Sequence, residues 1–457
     1  MITVESVDII DKEYEIEDFG NLSCDPFENQ KTIQYAIDSV SKLGGGHLNL
    51  IPGIIETGPI CMRDNVDLHI PFNCYLKFVK KEEFYHTQMF NYEGMDAIRT
   101  NSPISIHNCT NVAITGSGVI DGCGDDWRPI KDWKLTPKAW QAKLNILNEY
   151  LDEKNTKLWY PSLTALAGAK KGRDNITLEE SQQYYDFFRP VLLSIYKSNK
   201  VLIQGITSSN SPAWNIHPLF STNVTIDSVS VKNEYYAQNG DGIDIESCTN
   251  VEVKNSNFAV GDDGICLKSG KNKEARKIAI PCSNIYIHDN VVYHAHGGIV
   301  IGSEMSRGVN NVYADNNTFI GTDVGLRFKS SMGRGGVVED IHFDNISMID
   351  LIGEAIIFDL GYSLEKMKSE KLDNDTFETE EDIPYFKDIT VSNSVINNCN
   401  TFLKINGINE DTVSNIHIEN VSFKAKTNFN LLNCKNIEVV NVTDNNSNKV
   451  INEVFNA

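Results

Sequence analysis

Four short segments of this chain set acidic, imidazole or basic side chains among glycines or on a strand-like run. They are Asn239-Gly240-Asp241-Gly242-Ile243-Asp244, Gly261-Asp262-Asp263-Gly264, His294-Ala295-His296-Gly297-Gly298 and Arg327-Phe328-Lys329. Asp241 and Asp263 lie 22 residues apart, Asp263 and His296 33, and His296 and Arg327 31. Three carboxyl groups around one bond suit general acid–base hydrolysis. One keeps its proton because its neighbours are charged, and the others activate water. Arg327 and Lys329 are two apart, share a strand face, and could hold a substrate carboxylate. Each motif also has a plainer reading. A single Asp-Gly pair is usually a turn, His296 could be a structural histidine, and Arg327 and Lys329 a solvated strand face. Asp241, Asp244, Glu246, Asp262 and Asp263 together could bind Ca²⁺. Recurrence of all four segments at similar intervals favours a common site.

What must position them is a repeat. Asparagine occurs 49 times in 457 residues, and many copies precede a short β-branched run. The pattern is seen in Asn111-Val112-Ala113-Ile114, Asn223-Val224-Thr225-Ile226, Asn284-Ile285-Tyr286-Ile287 and Asn415-Ile416-His417-Ile418. The first apolar residues of these units fall at 112, 201, 224, 251, 285, 312, 341, 389, 416 and 437. Most gaps span 21–34 residues, with one alternating strand per unit, which predicts a β-solenoid whose units stack and share a core. A β-sandwich would give turns every 8–12 residues instead. Asn suits the turns because it tolerates a left-handed backbone. Measured from its unit's first apolar residue, Asp241 lies 17 on, Asp262 and His296 11, Arg327 15 and Lys329 17. Strands about 4.8 Å apart would therefore carry the four segments as one column. Adjacent Asp262 and Asp263 should point oppositely, unless the flanking glycines bend the strand and bring both to one cleft. Like charges on neighbouring strands and glycines within them both weaken a sheet. Such departures mark working sites.

The chain is expected to form one solenoid domain over residues 1–457. Residues 25–46 should cap it, because Ile33, Ala36, Ile37 and Val40 follow helical spacing and three glycines end the run. A Trp-rich insertion spans 121–190, with Trp127, Trp133, Trp140 and Trp159, and is expected near the cleft as either a local core or an aromatic wall for sugar rings. A second insertion, 363–385, is acidic and is read as a solvated loop. A net charge of −21 argues against nucleic acid, and no apolar run is long enough to span a membrane as a helix. Ten scattered cysteines without a CxxC pair read as reduced thiols. Lys268, Lys271, Lys273, Arg276, Lys277, Arg307 and Arg334 form with Arg327 and Lys329 a basic zone in an acidic protein, suited to an acidic substrate. The start, Met1 to Asp8, has no basic-then-apolar leader, so the expectation is a cytoplasmic protein, or a secreted one if a leader has been removed.

With these segments in view, the chain resembles glycoside hydrolase family 28, the polygalacturonase family, over about 25–440. Its Asn-x-Asp, Gly-Asp-Asp, Gly-His-Gly and Arg-x-Lys motifs are similar to Asn239-Gly240-Asp241, Gly261-Asp262-Asp263, Ala295-His296-Gly297 and Arg327-Phe328-Lys329, in that order. Gly240 and Ala295 depart from the frequent Thr and Gly without removing a functional side chain. The resemblance implies an all-β, single-stranded right-handed parallel β-helix with an N-terminal capping helix. It also implies hydrolysis of α-1,4-galacturonosyl bonds with inversion, and no metal or cofactor. By it, Asp262 is the general acid, Asp241 and Asp263 activate water, and His296 tunes the acid. Arg327 and Lys329 bind the galacturonate carboxylate, and Asn239, Lys268 and Tyr362 are further substrate-binding candidates. The 121–190 insertion, and the likeness of Asp121 to Pro129 to bacterial exo-acting members, favour exo-action on pectic oligo- or polysaccharide with release of galacturonic acid. A rhamnogalacturonan or xylogalacturonan hydrolase is the nearest alternative. A Ca²⁺-dependent pectate lyase and a non-catalytic carbohydrate-binding solenoid are more distant ones.

Overall fold

A computed structural model describes residues 2–146, 151–152, 155–361 and 379–457. Tyr362 and residues 363–378 of the acidic insertion lie outside them. A 34-stranded sheet winds along the molecule, its pairings parallel except where the last strand, Lys449–Phe455, turns back on Lys435–Asp444. Each full coil contributes to three ladders, which makes the fold a right-handed parallel β-helix. The first ladder holds the Asn-led strands, and its pairing is the one expected. Val112 pairs with Val201, Val201 with Val224, Val224 with Val251, Val251 with Ile285 and Ile285 with Val312. Ile341, Ile389, Ile416 and Ile437 continue the same row.

The asparagines explain the corners. Asn111, Asn223, Asn250, Asn284, Asn311, Asn415 and Asn436 all have positive φ near +50° to +60°, as do Lys200, Asp340 and Asp388 where another residue takes the position. Asn pays little for that backbone, and its amide then bonds to the coil before it. Asn250 donates to Asn223 at 3.3 Å, Asn284 to Asn250 at 3.0 Å and Asn311 to Asn284 at 2.6 Å. A shorter ladder is buried outright. Asn290 Nδ2 donates to Asn317 Oδ1 at 3.0 Å and to the Val253 carbonyl at 2.9 Å, while Asn317 donates to the Ile287 and Asp315 carbonyls at 2.8 and 3.0 Å.

The core is one apolar column along the axis, rich in Ile and Val with stacked rings such as Phe402 on Phe423, 4.1 Å apart. Its open end is covered by the helix Pro26–Lys42. Asp25 caps the helix by accepting from Phe27 N at 2.9 Å, proline opens it, and Ile33, Ala36, Ile37 and Val40 are buried beneath. All ten cysteines are free, and only Cys24 and Cys61 are exposed. No helix among the described residues is long and apolar enough to cross a membrane. Of the acidic insertion, Glu380 and Glu381 are exposed, as expected of a solvated loop, but Asp382 is not. It is buried, with its carboxylate 2.5 Å from Arg276.

Between Val119–Asp121 and Leu193–Tyr196 the chain leaves the helix. It builds a small antiparallel sheet from Ile130–Lys131, Leu151–Asp152 and Asn155–Trp159, with the helices Pro137–Ile146 and Leu163–Lys171. Its tryptophans divide between the two expected readings. Trp127 is buried with Tyr85 and Tyr185, and Trp159 is buried too, whereas Trp133 is 62% exposed.

Asn317→Leu should lower stability by about 2 kcal/mol, because it leaves the Asn290 N–H groups and two carbonyls short of partners in a dry interior. Chemical denaturation checks this. A midpoint unchanged from the parent would mean the buried amide ladder contributes nothing.

Candidate active site

The third ladder carries the candidate residues. Its strands Ile243–Glu246, Ile265–Lys268, Ile299–Gly302 and Leu326–Lys329 stack with Ile243 opposite Ile265, Ile265 opposite Ile299 and Ile299 opposite Leu326. Inward residues fill the core, and Phe328 stacks on Phe358 at 4.3 Å. Alternation then sends Asp244, Glu246, Lys268, Arg327 and Lys329 to the opposite face. Asp241 and Asp263 precede their strands by two residues and His296 by three. Backbone bonds lock these approaches together: Gly242 N donates to Asp263 O and His296 N to Asp262 O, both at 2.9 Å. The glycines serve close approach. A β-carbon on Gly242 would sit 2.4 Å from Gly264 O, and one on Gly264 2.6 Å from the Val292 side chain.

Asp262 and Asp263 do reach one place. Their carboxyl oxygens and a ring nitrogen of His296 lie within 4.8 Å of one another, so the bend expected at the flanking glycines is present. Asp262 Oδ1 is 3.0 Å from His296 Nδ1, and Oδ2 accepts from Asn239 N at 3.2 Å. Asp263 Oδ2 accepts from Lys329 at 2.6 Å, and Oδ1 from Arg327 at 3.4 Å. Asp241 is buried, and its Oδ1 has no hydrogen-bond partner among the described residues. Asp241, Asp244 and Cys266 form a second group within 4.8 Å.

Position sets the charge on each carboxyl. Burial raises the Asp241 carboxyl well above the usual range, and Asp244 and Asp262 push the same way. Burial likewise pushes Asp244 up to about 8, against the pull of Lys268. Burial acts on Asp263 too, but Lys329, Arg327 and Lys268 outweigh it and hold that carboxylate well below its usual range. Burial acts on Asp262 too, but the hydrogen bond from His296, with the charge of Lys329, holds it below its ordinary value. Proton affinity in the free site is therefore higher at Asp241 and Asp244 than at Asp262 or Asp263.

Several expectations shift in detail. Lys268 is buried, 3.0 Å from Glu304 and 3.5 Å from Asp244, so its charge is taken up by neighbouring carboxylates in the free protein. Arg334 also pairs with Glu304, at 3.2 Å, Arg276 with Asp382, and Lys271 with Glu93 at 3.5 Å. Much of the basic zone is thus internal counter-charge, and Arg327 and Lys329 are the cations paired with Asp263. Asn239 acts on Asp262 through its backbone, while its side-chain oxygen accepts from Arg189 at 2.9 Å. The five carboxylates considered for Ca²⁺ do not converge as one set. Glu246 accepts from His217 at 3.0 Å, and Asp263 is occupied by two cations.

Two residues from the insertion escaped the sequence reading. Lys134 stands 2.7 Å from His296 Nε2 and 2.9 Å from Gly261 O, and Arg189 braces Asn239. Neither sits in a repeat, so no spacing pointed to them. Trp133 and Lys134 line a cleft of about 520 Å³ with Tyr235, His294, His296 and Asp323.

Comparison with known proteins supplies the context. The family model for glycosyl hydrolases family 28 matches residues 180–441. An exo-poly-alpha-D-galacturonosidase of Dickeya chrysanthemi is 27% identical over 348 residues, 73% of this chain and 55% of that protein. The chain thus spans little more than half the length of that relative. An endo-polygalacturonase of Pectobacterium carotovorum subsp. carotovorum is 27% identical over 90% of this chain and 88% of its own. The crystal structure of a hyperthermoactive exopolygalacturonase from Thermotoga maritima superposes with a TM-score of 0.78 at 29% identity, covering 99% of this chain and 97% of that one.

A carboxyl whose affinity for protons is raised by folding supports the fold below its unfolded value of about 3.9 and weakens it as pH rises toward the folded value. Between those limits Asp244, at about 8, should cost stability increasingly. Asp244→Asn should therefore raise the melting temperature by a few degrees at pH 8 and by much less at pH 4. Melting curves at the two values check this, and an equal shift at both would contradict it.

Proposed function

Because the chain belongs to glycosyl hydrolases family 28, we propose that it hydrolyses α-1,4-galacturonosyl bonds of polygalacturonate and its oligomers, releasing galacturonic acid from a chain end. The observation that carries this reading is the meeting of Asp262, Asp263 and His296 within 4.8 Å, beside the cations Arg327 and Lys329. A polyanionic substrate needs fixed cations, and a glycosidic bond needs one proton donor and one proton acceptor.

The roles follow from position. A galacturonate carboxylate entering the cleft draws on Arg327 and Lys329, which in the free protein face Asp263. That weakens their hold on Asp263 and adds a negative charge beside Asp262, so both carboxyls gain affinity for a proton. Asp262, the more exposed of the two, then carries the proton that passes to the leaving oxygen. Asp241 and Asp263, on neighbouring coils, hold the attacking water, and its proton passes to the one of them that is ionised. Water attacks the anomeric carbon from the face opposite the leaving oxygen, so the product has inverted configuration. The sum is one water added across one bond. Exo-action is supported by the 121–190 insertion, whose Trp133 and Lys134 stand in the cleft next to His296. A wall there favours a pocket for a chain end over an open groove.

Early chromatography of trigalacturonate and polygalacturonate digests should give monomer from both, and proton NMR should show the inverted anomer first. Mixed oligomers with a rapid fall in viscosity would replace exo- by endo-action. Retention would overturn the water-activation roles, and an ultraviolet-absorbing product would point to a lyase. Asp262→Asn should lower kcat by about 10²–10⁴-fold with the fold intact.

A further inference from the structure

The contact between Lys134 and His296 joins the insertion to the acid. Lys134 ends the short helical turn Asp132–Lys134, 162 residues before His296 in sequence, yet its ammonium lies 2.7 Å from His296 Nε2. The same nitrogen donates to the carbonyl of Gly261, the residue before Asp262, at 2.9 Å. An ammonium has donors and no lone pair, so Nε2 must accept. An imidazole that accepts at Nε2 carries its single proton on Nδ1. That nitrogen lies 3.0 Å from Asp262 Oδ1 and donates to it. One lysine therefore specifies the protonation state and tautomer of the histidine, and through it the direction of the bond that Asp262 accepts.

We propose that Lys134 is a positioning residue, which holds His296 neutral with its proton on Nδ1 and so keeps Asp262 able to take up and deliver a proton. The charges around the ring show why it is needed. Three carboxyl groups face His296: Asp262 on Nδ1, Asp263 within 4.8 Å, and Asp323, whose Oδ2 is 3.9 Å from Nε2. All three favour an imidazolium. Lys134 opposes them, as does Arg327, whose side chain lies by Gly297, next to His296. Without Lys134, Nε2 is left to Asp323, which only a protonated Nε2 can satisfy. The resulting imidazolium would stabilise Asp262 as carboxylate and withdraw the proton the leaving oxygen requires. The catalytic consequence rests on the proposed galacturonosidase reading; the tautomer does not.

Long-range ¹H–¹⁵N NMR of the histidine rings, with His296 assigned by its loss in His296→Asn, reads the tautomer directly. The parent should show a neutral ring protonated at Nδ1. Lys134→Met should show the imidazolium pattern persisting to higher pH, and Lys134→Arg, still charged and still a donor, should restore the parent pattern. On oligogalacturonide, Lys134→Met should lower kcat about tenfold or more with KM little changed, and its kcat–pH profile should move. Lys134→Arg should recover part of that loss. An Nε2–H or imidazolium ring in the parent overturns the proposal. So does a Lys134→Met variant with an unaltered ring pattern, or one in which only KM rises, since that would make Lys134 a substrate contact. A parent that does not cleave galacturonan would defeat the functional reading, while the ring spectra would still decide this one.

Discussion

In-register parallel stacking is the constraint from which the site arises. Each coil repeats the phase of the one before, so a residue type recurring once per coil becomes a row along the axis. The rows of Val and Ile pack a continuous core, and the corner asparagines pass amide bonds from rung to rung. The same repetition places Asp241 and Asp263 on neighbouring rungs, with His296 on the next and Arg327 one further on. A fold with freely varying loops would need separate means to bring four distant segments together. Here the register does it, and backbone bonds such as Gly242 to Asp263 hold the spacing.

Crowding carboxylates on one face has an electrostatic cost, and the structure meets it in two ways. Lys268 and Arg334 both pair with Glu304, and Lys268 also lies 3.5 Å from Asp244. Two rungs on, Arg327 and Lys329 pair with Asp263. Burial outweighs that compensation at Asp241, whose Oδ1 has no hydrogen-bond partner among the described residues, and at Asp244, and both carboxyls are raised. Acidic groups one rung apart therefore have different proton affinities. Such separation of affinities is what acid–base chemistry requires.

The insertion supplies what a repeat cannot. A solenoid face is long and open at both ends, and its repeats offer the same surface again and again. Residues 121–190 break that uniformity at one place, setting Trp133 at the cleft and Lys134 against His296. Arg189, at the end of the same segment, braces Asn239, whose own N–H bonds Asp262. Two excursions from one insertion thus converge on the residues around a single carboxyl.

The coil register, the capping helix and the gathering of Asp241, Asp262, Asp263, His296, Arg327 and Lys329 were all readable from residue order. Each depends on local preference or on period, such as Asn at left-handed corners, alternation along strands, and helical spacing from Ile33 to Val40. Those signals lie within a few residues or recur at a fixed interval, so a linear sequence carries them. The fate of individual charges was not readable. Lys268 counted as a cation near a substrate until its burial beside Glu304 and Asp244 was seen, and Asp382 as part of a solvated loop until it met Arg276. Lys134 carried no periodic mark at all. Charge state depends on distance and on exclusion of water, summed over side chains that approach from remote parts of the chain. Only the folded arrangement of the coils and the insertion fixes those quantities.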